Sequence, residues 1–169
     1  MSLPTEPPNT DAVLTAAADV PSFKVGSTTA GLVATGATTD GRYGLFRWDM
    51  SAATGGASPH YHRTFAEAFY VLDGRIQLFD GTAWRPGTVG DFLYIPPNGI
   101  HGFRNESEAP VSMLILFAPA PPREAYFREL AERIASGIRY SDDDRTAFMA
   151  RHDQYEVDAG SGAPVGPPR

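Results

Sequence analysis

The sequence predicts an all-β domain, a closed barrel or a sandwich, followed by a helical extension at its carboxyl end. The first observation is a series of short β-branched or aromatic runs, separated by turn dipeptides such as Asp73-Gly74 and Asn98-Gly99. The second is a change after residues 119–122 from strand-like runs to apolar residues at helical spacing. Many short strands at near-regular spacing are typical of barrels and sandwiches.

The predicted elements divide the chain into four segments. We expect an N-terminal lead-in over 1–22, a β-barrel over 23–120, C-terminal helices over 121–158 and a flexible tail over 159–169. The predicted strands are 31–35, 43–50, 66–72, 76–79, 92–95, 101–105 and 111–117.

Composition narrows the class of protein. The 169 residues suit one domain, and 20% charged and 42% hydrophobic residues are ordinary for a soluble globular protein. Fourteen Lys and Arg against 20 Asp and Glu give a net charge of -6, which argues against general nucleic-acid binding or attachment to an anionic membrane. The amino terminus has no basic flank and no long apolar run, so we expect a cytoplasmic protein without a signal peptide.

The chain contains no cysteine. This excludes disulfides, zinc–thiolate sites, iron–sulfur clusters and cysteine nucleophiles. Histidine and carboxylate side chains are the remaining strong metal ligands.

One stretch, 59–74, has the pattern of half a metal site. In an extended strand alternate side chains share a face, so His60 and His62 point the same way. A second strand beginning near Ala66 puts Glu67 at the head of an otherwise apolar face. Because a buried carboxylate is costly unless it is neutralised, a divalent cation beside the two histidines is indicated.

A second stretch, 90–105, supplies a third imidazole. A strand ends at two prolines, and the Asn98-Gly99 turn leads His101 into the next strand. An isolated His-x-His is more often an ordinary feature than a metal site, but a third histidine in this context favours the metal. Only residues 75–89 separate the two stretches, which leaves room for one hairpin with Asp80-Gly81 at its tip.

The two stretches together resemble the motifs of the cupin superfamily. The matching residues are His60, His62, Glu67 and Gly74 in the first motif, and Gly90, Pro96, His101 and Asn105 in the second. The chain departs from the pattern at two positions. Gly55 stands one residue too close to His60, and Asn98 occupies a glycine position, although asparagine tolerates the left-handed backbone that such a turn requires.

The resemblance implies a cupin double-stranded β-helix, or jelly-roll barrel, with one divalent transition metal ion per chain. Its ligands would be His60, His62, Glu67 and His101. Three imidazoles and a carboxylate suit iron, manganese, nickel, copper or zinc better than calcium or magnesium. Four ligands leave open coordination positions, so catalysis is plausible, with Glu67 as the candidate catalytic residue.

The substrate pocket is harder to predict. Phe69, Val71, Phe103 and Met113 are candidates for its lining, although each residue type is more often simple core. Possible polar anchors for a substrate are Tyr43, Arg47 and Arg104.

Two helices are predicted after the barrel. Residues 123–136 carry Tyr126, Phe127, Leu130 and Ile134 along one side, with Glu129 and Arg133 spaced to pair. A second helix over 141–152 has Ser141 as its N-cap and Phe148 and Met149 as apolar contacts. His152, outside both motifs, is not expected to be a ligand.

Among cupins, the chain is similar to small single-barrel proteins described as quercetin dioxygenase-like. That similarity implies an oxygenase acting on a small enolic or aromatic molecule. A non-redox isomerase or polyketide-type cyclase, and a binding protein without turnover, remain alternatives. The expected partners are a small-molecule substrate and a second copy of the chain in a homodimer, with no nucleic acid and no membrane.

Overall fold

Eleven strands form two antiparallel sheets within residues 12–158, the part of the chain that the computed structural model describes. The six-stranded sheet has the order β1-β2-β3-β10-β5-β8, and the five-stranded sheet has the order β11-β4-β9-β6-β7. The strands are β1 (Ser22–Val25), β2 (Thr28–Ala34), β3 (Gly44–Met50), β4 (Gly56–Tyr61), β5 (Ala66–Asp73), β6 (Arg75–Phe79), β7 (Trp84–Thr88), β8 (Phe92–Ile95), β9 (His101–Arg104), β10 (Val111–Ala118) and β11 (Tyr155–Glu156).

This architecture confirms the predicted jelly-roll barrel with a C-terminal helical extension. The seven predicted strands correspond to β2, β3, β5, β6, β8, β9 and β10, with small differences at their ends. Residues 75–89 fold as the predicted hairpin, β6 paired with β7. The predicted tail, 159–169, and the first eleven residues of the predicted lead-in lie outside the described residues.

The core lies between the two sheets and is rich in aromatic side chains. Phe69 and Val71 on β5, and Met113 on β10, are completely buried. Phe46 meets Phe117 edge to face, with ring centroids 5.4 Å apart. Strand alternation explains this arrangement, because every second residue of each strand points between the sheets.

Two turns show why the motif positions carry particular residues. Asn98 has φ +68, the left-handed conformation expected of it. Gly74 has φ +80, and a Cβ there would lie 2.6 Å from the carbonyl oxygen of Pro110. Any larger residue at Gly74 would therefore force the β5–β6 connection to shift.

The two helices, α1 (Arg123–Ser136) and α2 (Asp142–Arg151), cover one end of the barrel. Phe127 on α1 packs on Trp48, an inward-facing residue of β3, with ring centroids 4.8 Å apart. The side chain of Ser141 caps α2 by accepting a hydrogen bond from the backbone N–H of Asp144, as predicted. Within residues 12–158 neither helix is long and apolar enough to span a bilayer.

The outward face of the six-stranded sheet carries exposed aromatic side chains near the edge strand β8. Tyr70 is 43% exposed, Phe92 63% and Tyr94 59%. Tyr70 pairs directly with Phe92, so the rings form one patch. Apolar patches of this kind commonly mark contacts between proteins. The homodimer stays a prediction, and this patch is where we expect its interface.

We expect light scattering at micromolar concentration to give twice the chain mass, and Phe92→Asp to give a monomer. The introduced carboxylate would have to lose its water in the interface. Ile138→Asp, at a residue 62% exposed beyond the end of α1, is the matched control and should remain a dimer. A wild-type protein that is monomeric in this experiment would refute the prediction.

Candidate metal centre

Three histidines and one glutamate meet inside the barrel. His60 lies on β4, His62 just beyond it, Glu67 on β5 and His101 at the start of β9. All four are buried, with exposed fractions between 1% and 4%. Their potential ligand atoms lie within 4.8 Å of one another. The four predicted ligands are thus brought together, although they come from both sheets.

Each imidazole is oriented by a backbone carbonyl group. His60 Nδ1 lies 2.7 Å from the carbonyl oxygen of Ser58, and His101 Nδ1 lies 3.0 Å from that of Gly99. His62 Nδ1 lies 2.6 Å from the carbonyl oxygen of Asp153, in the C-terminal segment. A carbonyl can only accept, so each Nδ1 carries the proton and donates it. In a neutral imidazole the Nε2 lone pair is then free to bind a metal.

In His62 and His101 this nitrogen lies close to another acceptor. Glu67 Oε2 lies 2.9 Å from His101 Nε2 and 3.0 Å from His62 Nε2. The His62 contact lacks hydrogen-bond geometry, and His62 Nε2 has no hydrogen-bond partner among the described residues. A carboxylate facing neutral imidazole nitrogens at such distances requires a proton or a cation between them.

The ionisation of the site favours a cation. Burial, with the neighbouring His101 and His62, holds the pKa of His60 well below its usual value, and burial also lowers the pKa of His62. Burial alone would raise the pKa of Glu67, but the neighbouring His101 and His62, when protonated, hold that pKa well below its usual range. A divalent ion would neutralise the carboxylate and engage all the lone pairs at once, so the residues fit a metal.

A cavity of about 400 Å³ lies between the barrel and the C-terminal helices. His60 and Glu67 form part of its wall, so the candidate metal centre opens into it. Four aromatic side chains contribute to the rest of the wall. They are Trp48, Phe103, Tyr126 and Phe127.

The cavity lining differs in part from the residues predicted for it. Phe103 lines the cavity, whereas Phe69, Val71 and Met113 have no exposed surface and are enclosed in the core. Alternation along a strand predicts which face a side chain takes. Whether an inward-facing side chain reaches the cavity depends also on the helices, and strand alternation carries no information about them.

The predicted polar anchors lie elsewhere. Arg47 is exposed beside Asp49, Arg104 stacks on Trp84, and Tyr43 is 40% exposed. A residue that the sequence analysis missed, Arg123, is buried in the cavity wall. The sequence does indicate that Arg123 faces the barrel. It stands three residues before Tyr126 and four before Phe127, so it lies on the same face of α1 as these apolar residues.

The C-terminal segment is attached to the metal centre through Asp153, which the sequence analysis also missed. Besides the carbonyl contact with His62, its carboxylate accepts hydrogen bonds from the backbone N–H of Thr64 at 2.8 Å and from the Thr64 hydroxyl at 2.7 Å. Asp153 adopts φ +54, which aspartate tolerates better than most residues. One residue thus fixes both a candidate ligand and the loop that follows it.

We expect Asp153→Ala to lower the free energy of unfolding by roughly 2–4 kcal/mol, because it removes hydrogen bonds to a carboxylate and strains the backbone. We also expect it to weaken metal binding about tenfold by loosening His62. Asp153→Asn keeps an acceptor and the left-handed conformation, so its losses should be smaller. Chemical denaturation with a chelator present, and metal titration, measure the two effects. If Asp153→Ala has the wild-type free energy of unfolding and the wild-type metal affinity, Asp153 does not fix His62 or the loop that follows it.

Comparison with known proteins supports the same fold. A family model described as a cupin domain matches residues 46–117. Quercetin 2,3-dioxygenase from Bacillus subtilis is 33% identical over 78 residues, which are 43% of this chain and 21% of the relative. The chain therefore spans about a fifth of the length of that relative.

Two solved structures share the fold. KdgF from Halomonas superposes with a TM-score of 0.59 at 16% identity, over 68% of this chain and 99% of that one. The polyketide cyclase RemF from Streptomyces resistomycificus gives a TM-score of 0.56 at 21% identity, over 66% of this chain and 82% of its own. At these identities the likeness concerns the fold alone.

Proposed function

We propose that this protein, whose residues 46–117 match a cupin-domain family model, is a metal-dependent oxygenase that acts on a small enolic or aromatic molecule. The observation that carries the proposal is the opening of a buried three-histidine, one-carboxylate cluster into a cavity walled by aromatic rings. The volume, about 400 Å³, is within the usual range for small-molecule sites. The local similarity to a quercetin dioxygenase supports the oxygenase over other cupin reactions.

The bound metal would be held by His60, His62, Glu67 and His101. A redox-active divalent ion there would supply the one-electron chemistry that a reaction with dioxygen requires. The protein contributes the remaining requirements of the reaction. Trp48 and Phe103 contribute apolar surface on which a flat molecule could lie, and residues of both helices complete the cavity wall.

Glu67 is the candidate general base. Its carboxylate lines the cavity and is buried beside the imidazoles. A substrate hydroxyl placed within hydrogen-bond reach would transfer its proton to a Glu67 oxygen and become a more electron-rich enolate or phenolate. Orientation of the substrate against the aromatic wall would add to the acceleration.

The test is oxygen consumption by protein loaded separately with iron, manganese, nickel, copper or zinc, using a panel of enols and phenols. We expect at least one redox-active metal to support oxygen uptake that depends on a panel member, and zinc to support none. If the zinc-loaded protein converts a panel member without oxygen uptake, the oxygenase proposal is wrong and the isomerase or cyclase is favoured. Saturable binding with no product under any metal would replace the oxygenase with a binding protein.

A further inference from the structure

Arg123 is buried in the wall of the cavity although it carries a charge. It is the first residue of α1 and is 4% exposed. Its guanidinium carbon lies 3.9 Å from the centre of the Tyr126 ring and 5.1 Å from that of Phe127. Arginine keeps its charge in proteins, so a cation is held among aromatic rings at the edge of a small-molecule cavity.

The described residues satisfy this guanidinium only in part. Nη1 donates to the carbonyl oxygen of His152 at 3.3 Å, and Nη2 donates to the side-chain oxygen of Gln154 at 2.9 Å. Both acceptors are uncharged. Nε is buried and has no hydrogen-bond partner among residues 12–158. Nor does Arg123 form an ion pair with a carboxylate of this part of the chain, as the other arginine of the cavity wall does: Arg145 pairs with Glu156.

The charge of the cavity therefore favours an anionic ligand. Arg145 and Glu156 neutralise each other, which leaves Arg123 and Glu67 as the charged side chains of the wall. With a divalent ion bound beside neutral imidazoles, Glu67 offsets only part of the positive charge. A buried excess of positive charge is unfavourable unless a counter-ion accompanies it. Apart from Glu67, and from Glu156, which Arg145 already neutralises, the residues that line the cavity supply no such counter-ion.

We propose that Arg123 binds a carboxylate of the substrate, so that the protein acts on small aromatic or enolic carboxylic acids. Nη1 and Nη2 each keep one N–H beyond those donated to His152 and Gln154, and the planar guanidinium offers paired donors that match the two oxygens of a carboxylate. The acid group would lie against Arg123, and the hydroxyl to be deprotonated would lie at Glu67. The position of the reacting hydroxyl at Glu67 rests on the proposed function. The binding of the acid group rests only on Arg123 and the cavity.

Isothermal titration of the zinc-loaded protein tests the proposal without turnover. The probes are benzoate, salicylate and cinnamate, each compared with its uncharged primary amide. A charge-assisted hydrogen bond is worth enough that we expect at least one acid to bind roughly tenfold or more tightly than its amide. If no acid in the panel binds more tightly than its amide, the proposal is overturned.

Variants separate Arg123 from the metal as the group that holds the acid. In Arg123→Met we expect the dissociation constants of the acid and its amide to differ by no more than about threefold, because the charged donor has been removed. Arg104→Met is the matched control, because Arg104 also stacks on an aromatic ring, 3.9 Å from Trp84, but lies outside the cavity lining. It should keep the wild-type preference. A preference that survives in Arg123→Met would assign the carboxylate to the metal and overturn the proposal.

A third variant covers a failure of Arg123→Met to fold. Arg123→Lys keeps the charge and loses the paired donors, so it should weaken acid binding about tenfold and leave the amide unchanged. An unchanged affinity for the acid would overturn the proposal. Absence of oxygen uptake would contradict the oxygenase but would not change the relative affinities for acid and amide. The two proposals are therefore tested by separate experiments.

Discussion

Replacing His101 with alanine is expected to remove the metal and the activity together. His101 is buried, its Nδ1 is fixed by the carbonyl of Gly99 and its Nε2 faces Glu67. The substitution deletes one of the candidate ligands and leaves a hole that water can enter. Even loosening a ligand through its neighbours costs 10–100-fold in affinity, so deleting one should cost at least about a hundredfold. Metal content after dialysis, and turnover, measure both effects.

The matched control is His152→Ala. The chain has four histidines, and His152 is the one outside the cluster, at the end of α2, with its Nε2 3.2 Å from Glu129. Its loss should leave metal content and turnover at wild-type levels. Binding of a metal to the folded state raises stability, by about 2.7 kcal/mol at a hundred times the dissociation constant. We therefore expect added metal to raise the melting temperature of the wild type and of His152→Ala, and to leave His101→Ala unchanged.

Metal retained at full occupancy by His101→Ala would remove His101 from the ligand set. The barrel interior would then need another explanation for three imidazoles whose Nε2 atoms are all left free to face one carboxylate.

Glu67→Gln is expected to lower turnover far more than it lowers stability. The amide has nearly the shape of the carboxylate but no charge and no useful basicity. Loss of a general base lowers rates by roughly 10²–10⁴-fold. In the metal-free protein, the new N–H₂ group can donate to an imidazole Nε2 that now faces a carboxylate oxygen at about hydrogen-bond distance. The free energy of unfolding without metal should therefore change little or rise.

Glu129→Gln is the control for this substitution. Glu129 pairs with Arg133, Arg151 and His152 on the surface of the helices, away from the cavity lining. Surface ion pairs contribute little, so both turnover and stability should stay close to wild type. If Glu67→Gln keeps wild-type turnover at full metal occupancy, Glu67 is neither a required ligand nor the base.

Much of the barrel followed from local patterns in the sequence. The alternation in 66–72 predicted Glu67 at the head of an apolar face, and in the structure Glu67, Phe69 and Val71 are buried while Tyr70 is exposed. The helical spacing in 123–136 matched the bounds of α1. These features are local, because burial on one face of a strand or helix imposes its period directly on the sequence.

Apart from β4, which the extended pattern of His60 and His62 indicated, three strands carry no alternating run of their own, although β7 lies in the predicted hairpin. β1 and β11 are short, with four and two residues, and β7 contains Pro86 and Gly87. Such runs resemble turns more than strands, and their pairing with β2, β4 and β6 establishes them.

The parts of the site that sequence reasoning missed depend on contacts between distant segments. Asp153 and His62 are separated by 91 positions, and the contact exists because the C-terminal segment returns to pair with β4. Arg123 enters the cavity because α1 crosses the end of the barrel. The spacing around Asp153 does not encode its placement, and the spacing around Arg123 indicates only its face of α1. The ligand set is encoded, since its histidines and glutamate stand at fixed intervals within two short motifs.

The most direct measurement of the central claim is elemental analysis of protein purified from a defined medium, before and after reconstitution with each candidate metal. The account predicts a transition metal bound at about one ion per chain in at least one of these preparations, held by the cluster of His60, His62, Glu67 and His101. Protein that carries no transition metal as purified, and that takes up none on reconstitution, would contradict it.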